Sequence, residues 1–291
     1  MAMSQRRCEY CEKIMACPQC GLPIESFNHV GVRATGAKGS SIWHYASPCG
    51  HRIQVEVGGT HHESTTLGTK LAVYKGGPLW QNGYLWFNVF WGSYWVGQQM
   101  VDMLNKATQD IETNQSFSGE LKQYNVGIGT LNGHAMIQQN PPSSVSENEI
   151  GSFISTWIQK SLIPDLKGKG AYNIFLPPGI TALLGTDKSC VVFCDYHDTA
   201  NGNSGPFFTV EPYPCGTGCN QCDSNPFDTI TQGLSEEMIE LKTDMNPGTG
   251  WVIGNEEICD YCDKNFVCNK ISTGEYVNSW YSDSRGACWT P

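Results

Sequence analysis

The sequence predicts an α/β protein, a mixed β-sheet with packed helices, preceded by a small β-rich, Cys-rich module. Three observations carry this. Between residues 84 and 242, apolar runs of strand length alternate with segments of helical periodicity. The 14 cysteines fall at the two ends, five before residue 50 and nine after 189, so two regions are separately stapled. Gly (32) and Pro (15) are plentiful, which favours many loops and few helices. The boundary falls near Leu71, giving a module over 1–70 and an α/β domain over 71–291.

In the module, Ile53–Val57 alternates apolar and polar residues as a half-buried strand does, and the following 58–64 stretch reads as a linker. In the domain, Tyr84–Trp91 is nearly all apolar and aromatic, and predicts a central strand buried on both faces. Val96, Met100, Val101, Leu104 and Ile111 recur at helical spacing. Tyr124–Leu131 is a second strand. Ser146 and Glu149 form a capping box ahead of Ile150, Phe153, Ile154, Trp157 and Ile158. Ala171–Leu176, Ser189–Cys194 and Phe207–Pro212 supply three more strands. A third helix runs from Asp228 to Lys242, with Ile230, Leu234, Met238, Ile239 and Leu241 apolar. The C-terminal run Tyr276–Tyr281 reads as an edge strand or an assembly surface.

Composition excludes several classes. Only 16% of the chain is charged, 40% is apolar, and there are nine Trp, which argues against disorder. With 18 basic against 28 acidic side chains the net charge is −10, so a nucleic-acid groove has no cations to replace the phosphate counterions. No run approaches the roughly 20 apolar residues of a membrane span. No apolar segment follows Arg6 and Arg7, so no signal peptide is read, although the cysteine content favours an oxidising compartment.

The acidic charge is concentrated. Ten carboxylates and a single cation, Lys242, lie between Asp223 and Asp263. Such a cluster is either a solvated face or one neutralised by a cation. On a helix Glu236 and Glu240 share a side, so both reach one divalent ion. Glu237 points about 100° away, as a residue holding an attacking water would. The nine Trp are read mainly as core, with a sugar-stacking platform as the alternative.

Several of these stretches together resemble a known family. Ser235–Asp244, Gly250-Trp251 and Glu257–Asp260 are similar, in order, to the signature of secreted, zincin-like proteins related to the plant EXORDIUM (phosphate-induced) group. Val89–Trp95, Cys190–His197 and Cys215–Cys219 are similar to further family segments, and the resemblance spans about 84–265. It implies a zincin-like α/β fold and a metal-binding helix. Glu237 would be the catalytic base. Glu236 stands at the family's His, Glu240 is the second ligand, and Glu257 or Asp260 supplies the third. Because Glu236 replaces a His, the set Glu236, Glu240, Glu257 and Asp260 is all oxygen, a hard site suited to calcium, magnesium or manganese, whereas zinc prefers nitrogen and sulfur; the cation expected there is calcium or zinc. His197 matches a family His and is read as an ordinary hydrogen-bonded residue, with a metal role as the alternative.

The cysteines add a second metal expectation. Cys17-Pro-Gln-Cys20-Gly with Cys49-Gly-His51 has the two-knuckle form of a zinc ribbon, and predicts zinc at Cys17, Cys20, Cys49 and His51, with disulfides as the alternative. Cys219-x-x-Cys222 and Cys259-x-x-Cys262 would be a four-thiolate zinc site in a cytosolic protein. The resemblance implies disulfides that tie the loop before the Glu236 helix to the loop after it. An even total of 14 permits seven bridges.

Two functions follow with nearly equal weight. One is a metal-binding, cross-linked extracellular protein, catalytically degenerate and self-associating or bound to a cell-surface or peptide partner. The other is an active metal-dependent peptidase. An intracellular zinc-ribbon adaptor is a third reading.

Overall fold

A computed structural model describes residues 28–33, 41–46, 52–57, 71–215, 219, 222, 225–263, 268–289 and 291. The chain divides into two units, Met1–Leu71 with Asp283–Ala287, and Ala72–Ser282 with Cys288–Pro291. In the first, Asn28–Arg33, Ser41–Ala46 and Arg52–Val57 pair antiparallel in that order. The expected zinc ligands Cys17, Cys20, Cys49 and His51 lie outside the described residues.

The second unit is a mixed α/β structure built on a five-stranded sheet. Its spatial order is Tyr196–Thr199, Phe207–Glu211, Gly170–Phe175, Leu85–Trp91 and Thr130–Ile137. Four strands are parallel, and the edge strand Tyr196–Thr199 is antiparallel to Phe207–Glu211. Parallel sheets need cover on both faces. Helices α1 (Gln99–Thr113) and α3 (Pro226–Thr243) pack on one face and α2 (Glu147–Gln159) on the other. Alternation along the central strands feeds both cores. Trp86 and Phe90 point towards α1 and α3, whereas Phe87, Val89 and Trp91 point towards α2. Ser146 caps α2 through the expected reciprocal box with Glu149.

A polar rung fixes the register of the central strands. Asn173 Nδ2 donates to Asn88 Oδ1 at 2.8 Å, and Asn88 Nδ2 donates to Thr108 Oγ1 of α1 at 3.0 Å. Thr209 Oγ1 lies 3.2 Å from Asn173 Oδ1 and 2.9 Å from Glu211 Oε1. These side chains are buried, and a slip of one residue would leave each without a partner.

Three expectations need correction. The second strand lies at Thr130–Ile137, not Tyr124–Leu131. Asn125 is left-handed (φ 57°), and Gly129 passes so close to Trp80 and the Tyr84 carbonyl that a Cβ would sit 2.7 Å from each. The chain turns there before the strand can begin. Ser189–Cys194 is a loop rather than a strand. Cys190 is left-handed (φ 67°), and Val191 and Val192 project outwards. The C-terminal run is not an assembly surface, because Val277, Trp280 and Tyr281 are buried in the α1–α3 core.

Lys242, the lone cation of the acidic stretch, faces away from it. Its Nζ lies 3.0 and 3.1 Å from the two oxygens of Glu112 on α1, and both side chains are fully buried. Trp86 Nε1 also donates to Glu112, at 2.9 Å. Breaking a buried pair strands the remaining charge. Lys242→Met should therefore destabilise the protein by about 3–5 kcal/mol in urea unfolding; a loss under about 1 kcal/mol, the range of exposed pairs, would contradict this arrangement.

Candidate metal centre on helix α3

The last turns of α3 carry Glu236, Glu237 and Glu240, and all three lie against other acidic groups. Glu237 is 4% exposed and Glu240 3%, so the stretch is not a solvated acidic face. These turns also sit at the negative end of the helix dipole, which opposes further negative charge. The edge strand approaches α3 closely here. A Cβ on Gly233 would lie 1.8 Å from Asp195 Oδ2, so only glycine admits this contact.

His197, from the same edge strand, enters the cluster. Its Nδ1 is 3.0 Å from Glu237 Oε2 and 4.0 Å from Glu240 Oε2. Its Nε2 is 3.0 Å from the Asp244 carbonyl and 3.5 Å from Glu257 Oε1. Burial pushes the imidazole pKa down and, together with neighbouring carboxylates, pushes Glu236, Glu237, Glu240 and Glu257 well above the usual range. Neutral His197 therefore donates through Nε2 to the Asp244 carbonyl and accepts at Nδ1 from protonated Glu237. Asp195, beside Glu237, is raised to about 6, mainly by burial.

Two sets of three donor groups converge within 4.8 Å, His197–Glu240–Glu257 and Glu236–Glu240–Asp260. The four expected ligands are thus split between two sets that share Glu240. The one nitrogen donor among these sets, on His197, comes from the edge strand, and Glu237 is its hydrogen-bond partner. The His197 set fits a cation on the chemistry of its donors. Glu257 Oε1 is buried without a hydrogen bond. Its 3.5 Å separation from His197 Nε2 is close to the ~3.4 Å expected between ligands of a tetrahedral ion with bonds of about 2.1 Å, and an ion there would replace the proton that Nε2 shares with the Asp244 carbonyl. Glu240 is oriented through Oε1, which accepts from the Cys259 and Asp260 amides at 3.2 Å each, leaving Oε2 on the His197 side.

Disulfides frame the centre. Cys190–Cys215 and Cys194–Cys219 tie the loop before the edge strand to the segment leading into α3. Cys222–Cys268 links the loop before α3 to the segment after α4 (Asp260–Asp263), and Cys262–Cys288 anchors α4 itself. The two CxxC units therefore neither pair with each other nor form a four-thiolate site. Cys259 is buried and bonds to no described cysteine. Four disulfides fit an oxidising environment, and no helix among the described residues is long and apolar enough to cross a membrane.

Asp244 organises the approach from below. Its carboxylate accepts from the amides of Gly248, Thr249 and Gly250 at 2.7, 3.0 and 2.6 Å, and so sets the turn into Trp251. Asp195, Asp244 and Asp263 are the residues that sequence reasoning passed over. The available signal was the place of Asp195 and Asp244 inside the family-like motifs at 190–197 and 235–260, with Asp263 three residues beyond. No family model matches this chain, and no curated protein matches it significantly.

The raised carboxylates set a pH dependence. Between the unfolded carboxyl pKa of about 4 and the higher folded values, the folded state holds more protons. Stability then falls as pH rises through that window, which spans pH 4 to 6 for Asp195 and is shifted upwards for the glutamates; His197, whose pKa burial lowers, acts in the opposite sense below about pH 6.5 but is one group against several. In EDTA, the melting temperature at pH 4.5 should exceed that at pH 7.5 by at least ~3 °C, the shift produced by about 1 kcal/mol in a domain of this size. A higher melting temperature at pH 7.5 would show that the cluster is not protonated in the cation-free protein.

Proposed function

We propose that the protein is a metal-binding, disulfide-cross-linked extracellular protein with a peptidase-like, zincin-like domain, in which His197, Glu240 and Glu257 hold a divalent cation. The observation that carries this reading is the buried, unbonded Oε1 of Glu257, facing an imidazole nitrogen and a second carboxylate. One nitrogen and two carboxylates suit zinc. The all-oxygen set Glu236–Glu240–Asp260 suits calcium. The resemblance to secreted EXORDIUM-related proteins and the four disulfides support the extracellular assignment. Zinc at Cys17, Cys20, Cys49 and His51 belongs to the same proposal.

Hydrolysis of peptides is the second reading, and one placement favours it. Glu237 is bonded to His197 on one side and lines an open cavity on the other. An ion held by His197, Glu240 and Glu257 would supply Lewis acidity and favour the ionised form of Glu237. Glu237, ionised in that state, would act as the base towards a water in the cavity, with His197 Nδ1, 3.0 Å away, holding its carboxylate in place.

Isothermal titration with zinc and with calcium, paired with elemental analysis, tests the first reading. The intact protein should take up one more equivalent of divalent ion than Glu240→Gln does, and Glu237→Gln should retain that ion. Equal uptake by the intact protein and Glu240→Gln would refute the site. Casein cleavage that falls at least ~100-fold in Glu237→Gln would establish the hydrolase, in the range typical of a lost general base. Ion uptake without Glu237-dependent cleavage would assign the ion a structural role.

A further inference from the structure

Helix α1 ends at Thr113, and the turn that follows carries a motif with no part in the metal centre. Of the 19 asparagines in the chain, only Asn114 has Ser or Thr two positions on, in Asn114-Gln115-Ser116. Asn, any residue but Pro, then Ser or Thr is the acceptor pattern for N-linked sugar in exported proteins. The sugar is bulky and hydrophilic, so the folded chain must hold such an Asn at its surface with the amide nitrogen uncommitted.

Asn114 meets both conditions. It leaves the helix with extended backbone (φ −65°, ψ 112°). Its main-chain carbonyl accepts from the amides of Phe117 and Gly119 at 3.2 and 3.0 Å, which closes a tight turn. Phe117 is fully buried and pins the turn from inside, while Thr113, Gln115 and Ser116 are exposed and Asn114 is partly so. Trp289 Nε1 donates to the Ser116 carbonyl at 3.1 Å and holds the outer limb. Ser116 Oγ donates to Asn114 Oδ1 at 2.9 Å, which fixes the side-chain amide by its oxygen. The Nδ2 atom bonds to no described residue and is not buried, so it faces solvent. Replacing one hydrogen on Nδ2 leaves Oδ1 an acceptor, and the Ser116 bond survives. On a buried or bonded amide the same replacement would break hydrogen bonds worth about 0.5–1.5 kcal/mol each.

We propose that Asn114 is a site of N-glycosylation, with an oligosaccharide carried on a lipid diphosphate as the donor. Nδ2 forms a bond to the anomeric carbon of the sugar. The bond from that carbon to the diphosphate oxygen breaks, and its electron pair leaves with the lipid diphosphate. One Nδ2 proton passes to a base of the transferring enzyme. This inference rests on the extracellular reading, because the acceptor pattern is used on the export route. It does not depend on which ion His197 and its partners hold.

Peptide mapping of the full chain from the cells that make it tests the site, with culture medium and cell lysate kept apart. An amidase that releases N-linked glycans, used in heavy-oxygen water, converts a modified Asn to labelled Asp. Spontaneous deamidation before the treatment leaves no label. Chain from the medium should carry the label at position 114. Asn114→Gln and Ser116→Ala should lose both the label and the mobility shift that the sugar causes, whereas Ser116→Thr should keep both. All three variants should show the free-thiol count of the intact chain, so that loss of sugar is not loss of fold. An unlabelled Asn114 on chain from the medium, or a label that survives Ser116→Ala, would overturn the proposal and spare the extracellular reading. Unlabelled chain confined to the lysate would overturn both. Labelled chain that never reaches the medium would uphold the site and contradict the extracellular reading.

Discussion

The repulsion among carboxylates gathered on the last turns of α3 governs this structure. Glu237 and Glu240 are almost fully buried, Glu236 is partly so, and Asp195 and Glu257 press against them. The helix dipole adds to the penalty. The obvious internal cation is not available, because Lys242 is fully committed to Glu112 on the opposite side of the helix. A charge balance must come from protons or from a bound cation. The geometry around His197 and Glu257 is where such a cation fits.

The rest of the domain holds that cluster in place. The edge strand supplies His197, Asp195 immediately precedes it, and Gly233 lets this segment approach α3. The Glu112–Lys242 pair ties α3 to α1, and the Asn88–Asn173–Thr209 rung fixes the sheet beneath. Cross-links close the arrangement from both ends of the helix. Each closes a loop of roughly 25 to 46 residues, and the chain-entropy model assigns about 3–4 kcal/mol to such a loop. A cluster that repels itself needs a frame of this kind to remain assembled.

Much of this was legible in the sequence, for physical reasons that also explain the failures. The strand at Leu85–Trp91, the α2 capping box and the extent of α3 follow from local patterns, and each forms at or within two residues of where it is read. Tyr124–Leu131 and Ser189–Cys194 misled because apolar content was weighed above backbone constraint; a close-packed Gly129 and a left-handed Cys190 turn both segments away from strand geometry. At the site, helical spacing brought Glu236 and Glu240 together with Asp260, as expected for one face. It could not reveal that His197, some 40 residues earlier, bonds to Glu237, nor that Glu257 would join His197 rather than Glu236. Those pairings are made by sheet topology, which periodicity does not encode.

X-ray absorption at the zinc edge, on protein loaded with zinc at neutral pH, tests the account most directly. To isolate the α3 site, the spectrum of Glu240→Gln is subtracted from that of the intact chain. The difference should report one imidazole nitrogen and carboxylate oxygens at about 2.0–2.1 Å, with no sulfur. A null difference, or one dominated by sulfur at about 2.3 Å, would mean that the glutamates of α3 hold no ion.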